Sequence, residues 1–168
     1  MFELSSPPTA FDASACGVRA GHETVRLFPG AQAVVRRLLT QSEYSNVRVA
    51  VASSTTEPAY ANKCLDLLPA DSTGAREERL GELVDFRQIY PGNKGRLHFP
   101  ALRKESGVNY DQMIFFDDCT YGDVSSNDQT PEISPLLLQV HHVLQCAIEQ
   151  FSPPFGRIVE MWRRHAKA

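Results

Sequence analysis

Helical and strand patterns alternate over residues 25–118, and this alternation constrains the fold more than any other feature of the 168-residue chain. Short apolar runs rich in β-branched and aromatic residues are typical of buried strands, and they occur at residues 25–28, 47–52, 86–90 and 113–116. The segments between them predict helices over residues 31–41, 57–68 and 95–106. Such an order predicts an α/β fold, with a parallel sheet covered by helices on both faces.

Prolines support two of these predicted helices. Glu57 and Pro58 lie where the first turn of a helix favours an acid and a proline. Pro100 must lie near the start of the third helix or kink it, because a proline in the interior removes a main-chain hydrogen bond.

Polar and charged side chains follow three of the predicted strands. The carboxyl ends of parallel strands meet at one edge of a sheet, where ligands collect. We call the six residues at this edge the rim. They are Ser53, Ser54 and Thr55 after the second strand, Lys94 after the third, and Asp117 and Asp118 after the fourth.

The adjacent carboxylates of Asp117 and Asp118 need an explanation. Two carboxylates ~6 Å apart repel by roughly 3 kcal/mol at an effective dielectric constant of about 20. A solvated turn is one interpretation, because aspartate is a common turn residue. A magnesium site is the other, because Mg²⁺ takes oxygen ligands and commonly uses one or two carboxylates plus phosphate oxygens.

The other rim residues also have structural explanations when each is taken alone. Ser53 and Thr55 suit helix caps, and Lys94 suits an exposed turn. Their joint placement favours a phosphate site: the hydroxyls hold phosphate oxygens, Lys94 neutralises charge, and Asp117 binds Mg²⁺ with support from Asp118.

Composition excludes several other classes of function. The net charge is −3, and no stripe of Lys and Arg interleaves with aromatic residues, so a nucleic-acid surface is not expected. No apolar run approaches the ~20 residues of a membrane helix, and the N-terminus does not resemble an export signal, so we expect an intracellular, soluble protein. The cysteines Cys16, Cys64, Cys119 and Cys146 stand singly, a pattern that predicts reduced thiols. The histidines lack the spacing of metal ligands, so we expect them at surface or core positions.

The order of the rim residues resembles a known superfamily. Ser/Thr after a strand, then lysine, then an apolar strand that ends in Asp-Asp is similar to the haloacid dehalogenase (HAD) superfamily. The strings VRLFPGA, VAVASSTTEPAYA, IYPGNKGRLHFPALRKESGV and QMIFFDD resemble its magnesium-dependent phosphatase branch, over residues 25–123. Response-regulator receiver domains use the same residue types but place the Asp pair first and the lysine last, which argues against them.

This resemblance implies a three-layer HAD-like fold and a phosphatase that forms an aspartyl-phosphate. It implies Mg²⁺ held partly by Asp117, phosphate oxygens held by Ser53, and Lys94 bridging phosphate and nucleophile. The expected partner is a phosphorylated small molecule or a phosphoprotein; the substrate itself and the oligomeric state are not specified. Ser54 stands where the family commonly has arginine, so substrate contacts at that position are open.

One motif of the family is missing from the 168 residues. Family members carry their nucleophile in D-x-D at the end of a central first strand, and this sequence has no D-x-D. The one aspartate before Ser53 is Asp12, with Ser14 in the place of the second aspartate. Because residues 6–31 resemble the segment that follows D-x-D, we expect that the chain starts downstream of its catalytic aspartates, that Met1 is an internal methionine of a longer protein, and that the central strand is absent.

Turnover by this polypeptide is therefore not expected. Three alternatives remain: Asp12 as a disguised nucleophile, a non-catalytic relative that binds phosphorylated ligands or a protein partner, and a fragmentary gene product. We predict an irregular N-terminal arm over residues 1–24, an α/β core over residues 25–124, and a divergent, mainly helical segment over residues 125–168 that packs on the core.

Overall fold

The computed structural model describes residues 4–71 and 78–115. The strands in these ranges are β1 (Pro8–Asp12), β2 (Gly17–Ala20), β3 (Glu23–Val25), β4 (Ala50–Ser53) and β5 (Phe86–Ile89). The α-helices are α1 (Pro29–Thr40), α2 (Pro58–Leu67), α3 (Leu80–Leu83) and α4 (Phe99–Ser106), and a π-helical turn spans Lys94–His98. Asp117, Asp118 and the predicted C-terminal segment lie outside the described residues.

The N-terminal residues form a three-stranded antiparallel sheet in the order β1-β2-β3, where we predicted an irregular arm. Val18 and Ala20 are fully buried, whereas Arg19 between them is exposed. This alternation of buried and exposed residues covers only a short strand. Because small and turn-forming residues surround it, the sequence pattern does not predict a strand there. Pro8 is the first residue of β1 at the edge of the sheet, a position that tolerates proline.

The strands β4 and β5 form a parallel pair, in which Ser53 is the partner of Ile89. This pair, with helix α2 between its strands in the sequence, confirms the α/β class. Two predicted strands differ from the structure. Val25 pairs with Val18 in the antiparallel sheet, and residues 113–115 form no strand with any described residue. The three-layer HAD-like arrangement therefore stays a prediction.

Two apolar clusters hold these elements together in the described part of the chain. One contains Val18, Cys64, Leu68 and Leu80 and joins the N-terminal sheet to α2 and α3. The other contains Phe86, Phe99 and Leu102, with the partly buried Phe115 packed against it. Burial of each large side chain contributes roughly 1.5–3 kcal/mol. The second cluster fixes α4, and hence the turn before it, against β5.

The helix positions predicted from prolines are confirmed. Glu57 is the N-cap of α2 and Pro58 is its first residue. Pro100 lies in the first turn of α4, directly after the π-helical turn, so it stands at the junction of the two segments and not in the interior of α4. No helix of the described residues combines the length and the apolar character needed to cross a membrane.

Candidate functional site

Lys94 begins the π-helical turn that follows β5. The side-chain oxygen of Asn93 accepts the main-chain N–H of Arg96 at 2.9 Å, and the carbonyl oxygen of Asn93 accepts that of Leu97 at 3.0 Å. Gly92 has φ +143°, a conformation that side chains disfavour, and a Cβ there would lie 2.5 Å from Leu97 Cδ1. The residues Pro91-Gly92-Asn93 therefore turn the chain sharply from β5 into the segment that carries Lys94.

Lys94 is buried, with 8% of its surface exposed, which contradicts the alternative of an exposed turn lysine. Its Nζ atom lies 5.6 Å from the centre of the Phe115 ring, within the range of a cation–π contact. Phe115 precedes Asp117 by two residues in the sequence. The ammonium of Lys94 thus lies beside the segment that leads to the predicted metal ligands.

Ser53 is the last residue of β4 and is half-buried. Its carbonyl oxygen accepts the main-chain N–H of Tyr90 at 3.1 Å and lies 3.0 Å from Nε2 of His98. His98 is the last residue of the π-helical turn and is fully buried. The structure therefore brings the end of β4 and the Lys94 turn together through His98.

The hydroxyl of Thr55 contacts the start of helix α2. Its oxygen accepts the main-chain N–H of Glu57 at 3.0 Å, a local turn just before the helix. The N-cap of α2 is Glu57, so the interpretation of Ser53 and Thr55 as helix caps is wrong. Its hydrogen remains available for donation to a phosphate oxygen, because a hydroxyl both donates and accepts. Ser54, between Ser53 and Thr55, is half-buried.

The predicted metal ligands Asp117 and Asp118 lie outside the described ranges. Within residues 4–71 and 78–115, no group of three His, Cys, Asp or Glu side chains is placed to hold a metal ion. The structure brings together the segments that carry Ser53 and Lys94. The complete rim of six residues stays a prediction.

Asp12, the alternative nucleophile, is engaged in the turn between β1 and β2. Its Oδ1 accepts the Ser14 hydroxyl at 2.6 Å, the Ser14 N–H at 2.9 Å and the Ala15 N–H at 3.3 Å. Its Oδ2 lies 3.2 Å from Nε of Arg19. The hydrogen bond from the Ser14 hydroxyl, followed by that from Ala15, lowers the pKa of Asp12. These contacts give Asp12 a structural role in the hairpin.

No pattern in the sequence indicates the part that His98 plays in this site. The histidine lies between Leu97 and Phe99 in a predicted helix, and it has no spacing that would single it out. Its contacts are to main-chain atoms of residues 45 and 8 positions away. From the sequence, His98 could be predicted only as a surface or core residue.

Comparison with known proteins gives three similarities. A family model described as acid phosphatase matches residues 2–147. Magnesium-dependent phosphatase 1 of Homo sapiens is 36% identical over 117 residues, which are 70% of this chain and 54% of that protein. A HAD-like hydrolase superfamily protein of Schizosaccharomyces pombe is 33% identical over 81 residues, which are 48% of this chain and 46% of that protein. The chain therefore spans about half the length of the curated relatives that it matches.

Proposed function

Because the chain belongs to the HAD-like magnesium-dependent phosphatase family, we propose that its rim binds the phosphoryl group of phosphomonoesters. The activity class that the family suggests is the hydrolysis of a phosphomonoester, whose alcohol part belongs to a small molecule or a phosphoprotein. The observation that carries the proposal is the burial of Lys94 beside Phe115, at the carboxyl end of the parallel pair.

Burial makes the Lys94 ammonium effective toward a phosphate. In a site with little water an ammonium interacts with anionic oxygens more strongly than at the surface, because the effective dielectric constant is lower. Lys94 neutralises charge on the phosphoryl oxygens, and the hydroxyls of Ser53, Ser54 and Thr55 donate hydrogen bonds to them. The main-chain hydrogen bond between Tyr90 and Ser53, and the contacts of the His98 side chain with the carbonyl oxygens of both residues, hold these groups in place before the ligand binds.

The donor chemistry of Asp117 and Asp118 fits magnesium. Adjacent carboxylates supply hard oxygen ligands, and the described residues offer no competing cluster of His, Cys, Asp or Glu. In this proposal Asp117 holds Mg²⁺ and Asp118 supports it. When bound, the ion stabilises negative charge on the phosphoryl group.

We further propose that the 168 residues bind phosphomonoesters without hydrolysing them. Their sequence contains no D-x-D, and both carboxylate oxygens of Asp12 are engaged in the β1–β2 turn. A nucleophile is required for an aspartyl-phosphate. The second candidate function is a non-catalytic relative that uses the rim for binding alone.

The experiment titrates the 168-residue chain with inorganic phosphate by calorimetry, with Mg²⁺ and with EDTA, and follows hydrolysis of an aryl phosphate in parallel. We expect saturable binding that requires Mg²⁺, with no release of the aryl alcohol. Asp117→Asn should abolish the effect of Mg²⁺, whereas Asp111→Asn, at an exposed position before Phe115, should not. The absence of binding would contradict the proposed function. Hydrolysis abolished by Asp12→Asn would show that Asp12 is the nucleophile.

A further inference from the structure

The buried imidazole of His98 contacts the ends of both parallel strands. Its Nε2 atom lies 3.0 Å from the carbonyl oxygen of Ser53 and 2.9 Å from that of Tyr90. Its ring stacks on the ring of Tyr90, with 4.2 Å between the centroids. Because carbonyl oxygens only accept hydrogen bonds, Nε2 carries a hydrogen and donates it to both oxygens.

The other ring nitrogen, Nδ1, is buried and has no hydrogen-bond partner among the described residues. Within this part of the chain, the hydrogen bonds of the His98 ring therefore run through Nε2 alone.

His98 is also tied to Lys94 through the main chain. The two residues begin and end the π-helical turn, and the N–H of Phe99 donates to the carbonyl oxygen of Lys94 across that turn. The side chain of His98 anchors one end of the turn to Ser53, while the main-chain bond fixes the other end. A shift of His98 would therefore change the distance between Lys94 and Ser53.

We infer that His98 is a positioning residue that holds Lys94 and Ser53 in register for a phosphoryl group. This inference rests on the proposed function only for the identity of the ligand. His98 itself is expected to make no contact with the ligand, since it is fully buried and its donor is used by Ser53 and Tyr90. The positioning role of His98 differs from that of an apolar side chain that only fills the same space, because it depends on the hydrogen on Nε2.

The test begins with the ligand-free, ¹⁵N-labelled 168-residue chain. Two-bond ¹⁵N–¹H correlation spectra should show a hydrogen on Nε2 of His98, and nuclear Overhauser effects should connect the Lys94 side chain with the Phe115 ring. His98→Gln, whose amide can donate to a carbonyl oxygen, should keep the Lys94–Phe115 signal. His98→Leu, which has no donor, should weaken it. A His98 ring without a hydrogen on Nε2, or an unchanged signal in His98→Leu, would overturn the inference.

Titration with inorganic phosphate in the presence of Mg²⁺ supplies the second measurement. We expect His98→Leu to lower the affinity on the order of tenfold or more, as loss of a supporting hydrogen bond does at other built sites, and His98→Gln to restore part of it. Leu68→Ala is the control, because Leu68 is buried in the other apolar cluster and the variant loses stability without touching the rim. Equal losses of affinity in Leu68→Ala and His98→Leu would assign the effect to stability alone.

The two measurements separate the inference from the proposed function. If the unchanged chain binds no phosphate, the proposed function fails, while the hydrogen on Nε2 and the Lys94–Phe115 signal still decide whether His98 positions Lys94. If the unchanged chain binds phosphate and His98→Leu binds it equally well, the positioning role fails and the proposed function stands.

Discussion

The ammonium of Lys94 lies 5.6 Å from the centre of the Phe115 ring, although the two residues are 21 positions apart in the sequence. The contact joins the turn after β5 to the segment that runs into Asp117. Because of this position, we expect that replacing Lys94 affects phosphate binding more directly than replacing any other described residue.

Lys94→Met should weaken the binding of inorganic phosphate by roughly tenfold to a hundredfold, because hydrogen bonds to charged groups contribute about 1.5–3 kcal/mol. Methionine keeps much of the apolar stem and removes the charge. The measurement is calorimetric titration in the presence of Mg²⁺. Lys104→Met, the same change at an exposed position on α4, is the matched control. Equal affinities for the unchanged chain and Lys94→Met would exclude Lys94 from the phosphate site.

Gly92→Ala should lower both stability and phosphate affinity. A side chain at φ +143° costs about 1–3 kcal/mol, and the new Cβ would displace Leu97 within the turn that carries Lys94. Gly107→Ala is the control, because Gly107 also has a positive φ (+71°) but lies in open space after α4. We expect Gly107→Ala to lose stability in urea unfolding and to keep its phosphate affinity. A loss of affinity in both variants would mean that the Gly92 turn has no special part in binding.

Arg87→Met should destabilise the fold by about 1–3 kcal/mol. The Arg87 guanidinium donates to the carbonyl oxygen of Gly81 at 2.8 Å, to Asp66 at 3.0 Å and to Asn62 at 3.2 Å, so it ties β5 to α2 and α3. Asp66→Asn should cost less than about 1 kcal/mol, because the Asp66 carboxylate is largely exposed. Urea unfolding measures both effects.

Arg36→Met, on the exposed face of α1, serves as the control for Arg87→Met and should change stability by no more than about 0.5 kcal/mol. Similar losses for Arg87→Met and Asp66→Asn would show that the ion pair, rather than the set of three acceptors, gives Arg87 its effect.

Asp12→Asn should lower the free energy of unfolding at neutral pH. In acid, the difference in the free energy of unfolding between this variant and the unchanged chain should become smaller. The hydrogen bond from the Ser14 hydroxyl lowers the pKa of Asp12 in the folded state below its ordinary value of 3.8. The contribution of the carboxylate is therefore present above that ordinary value and is lost as the pH falls through the lowered pKa. Urea midpoints between pH 7 and pH 3 measure the difference, which a constant offset over this range would contradict.

Cys64 should react with iodoacetamide much more slowly than Cys16 in the folded protein. Cys64 is buried and Cys16 is exposed, and desolvation by burial raises the pKa of the Cys64 thiol. A higher pKa leaves less thiolate, the reactive form, at neutral pH. Peptide mapping by mass spectrometry measures the two rates separately. In urea the rates should become similar; similar rates without urea would contradict the burial of Cys64.

Local patterns predicted the helices well. Apolar spacing and prolines identified α1 and α2 with small differences at their ends, and a run of apolar residues identified β4 and β5. The helix predicted over residues 95–106 is α-helical only over Phe99–Ser106, because Lys94–His98 form a π-helical turn. The N-terminal sheet was missed because β2 has only 4 residues and owes its position to pairing with β1 and β3. Pairing between strands that are separate in the sequence leaves no periodic pattern of apolar residues within either strand, so it cannot be predicted from local sequence.

The sequence by itself determined the α/β class, the family and the candidate residues of the rim, because these follow from short-range patterns and motif order. Tertiary structure alone decided that Lys94 is buried, and that His98 joins the end of β4 to the turn after β5. The physical reason is that burial and side-chain contacts to main-chain carbonyl oxygens depend on which segments meet in space. The contact between His98 and Ser53 spans 45 residues, and no spacing within either segment encodes it.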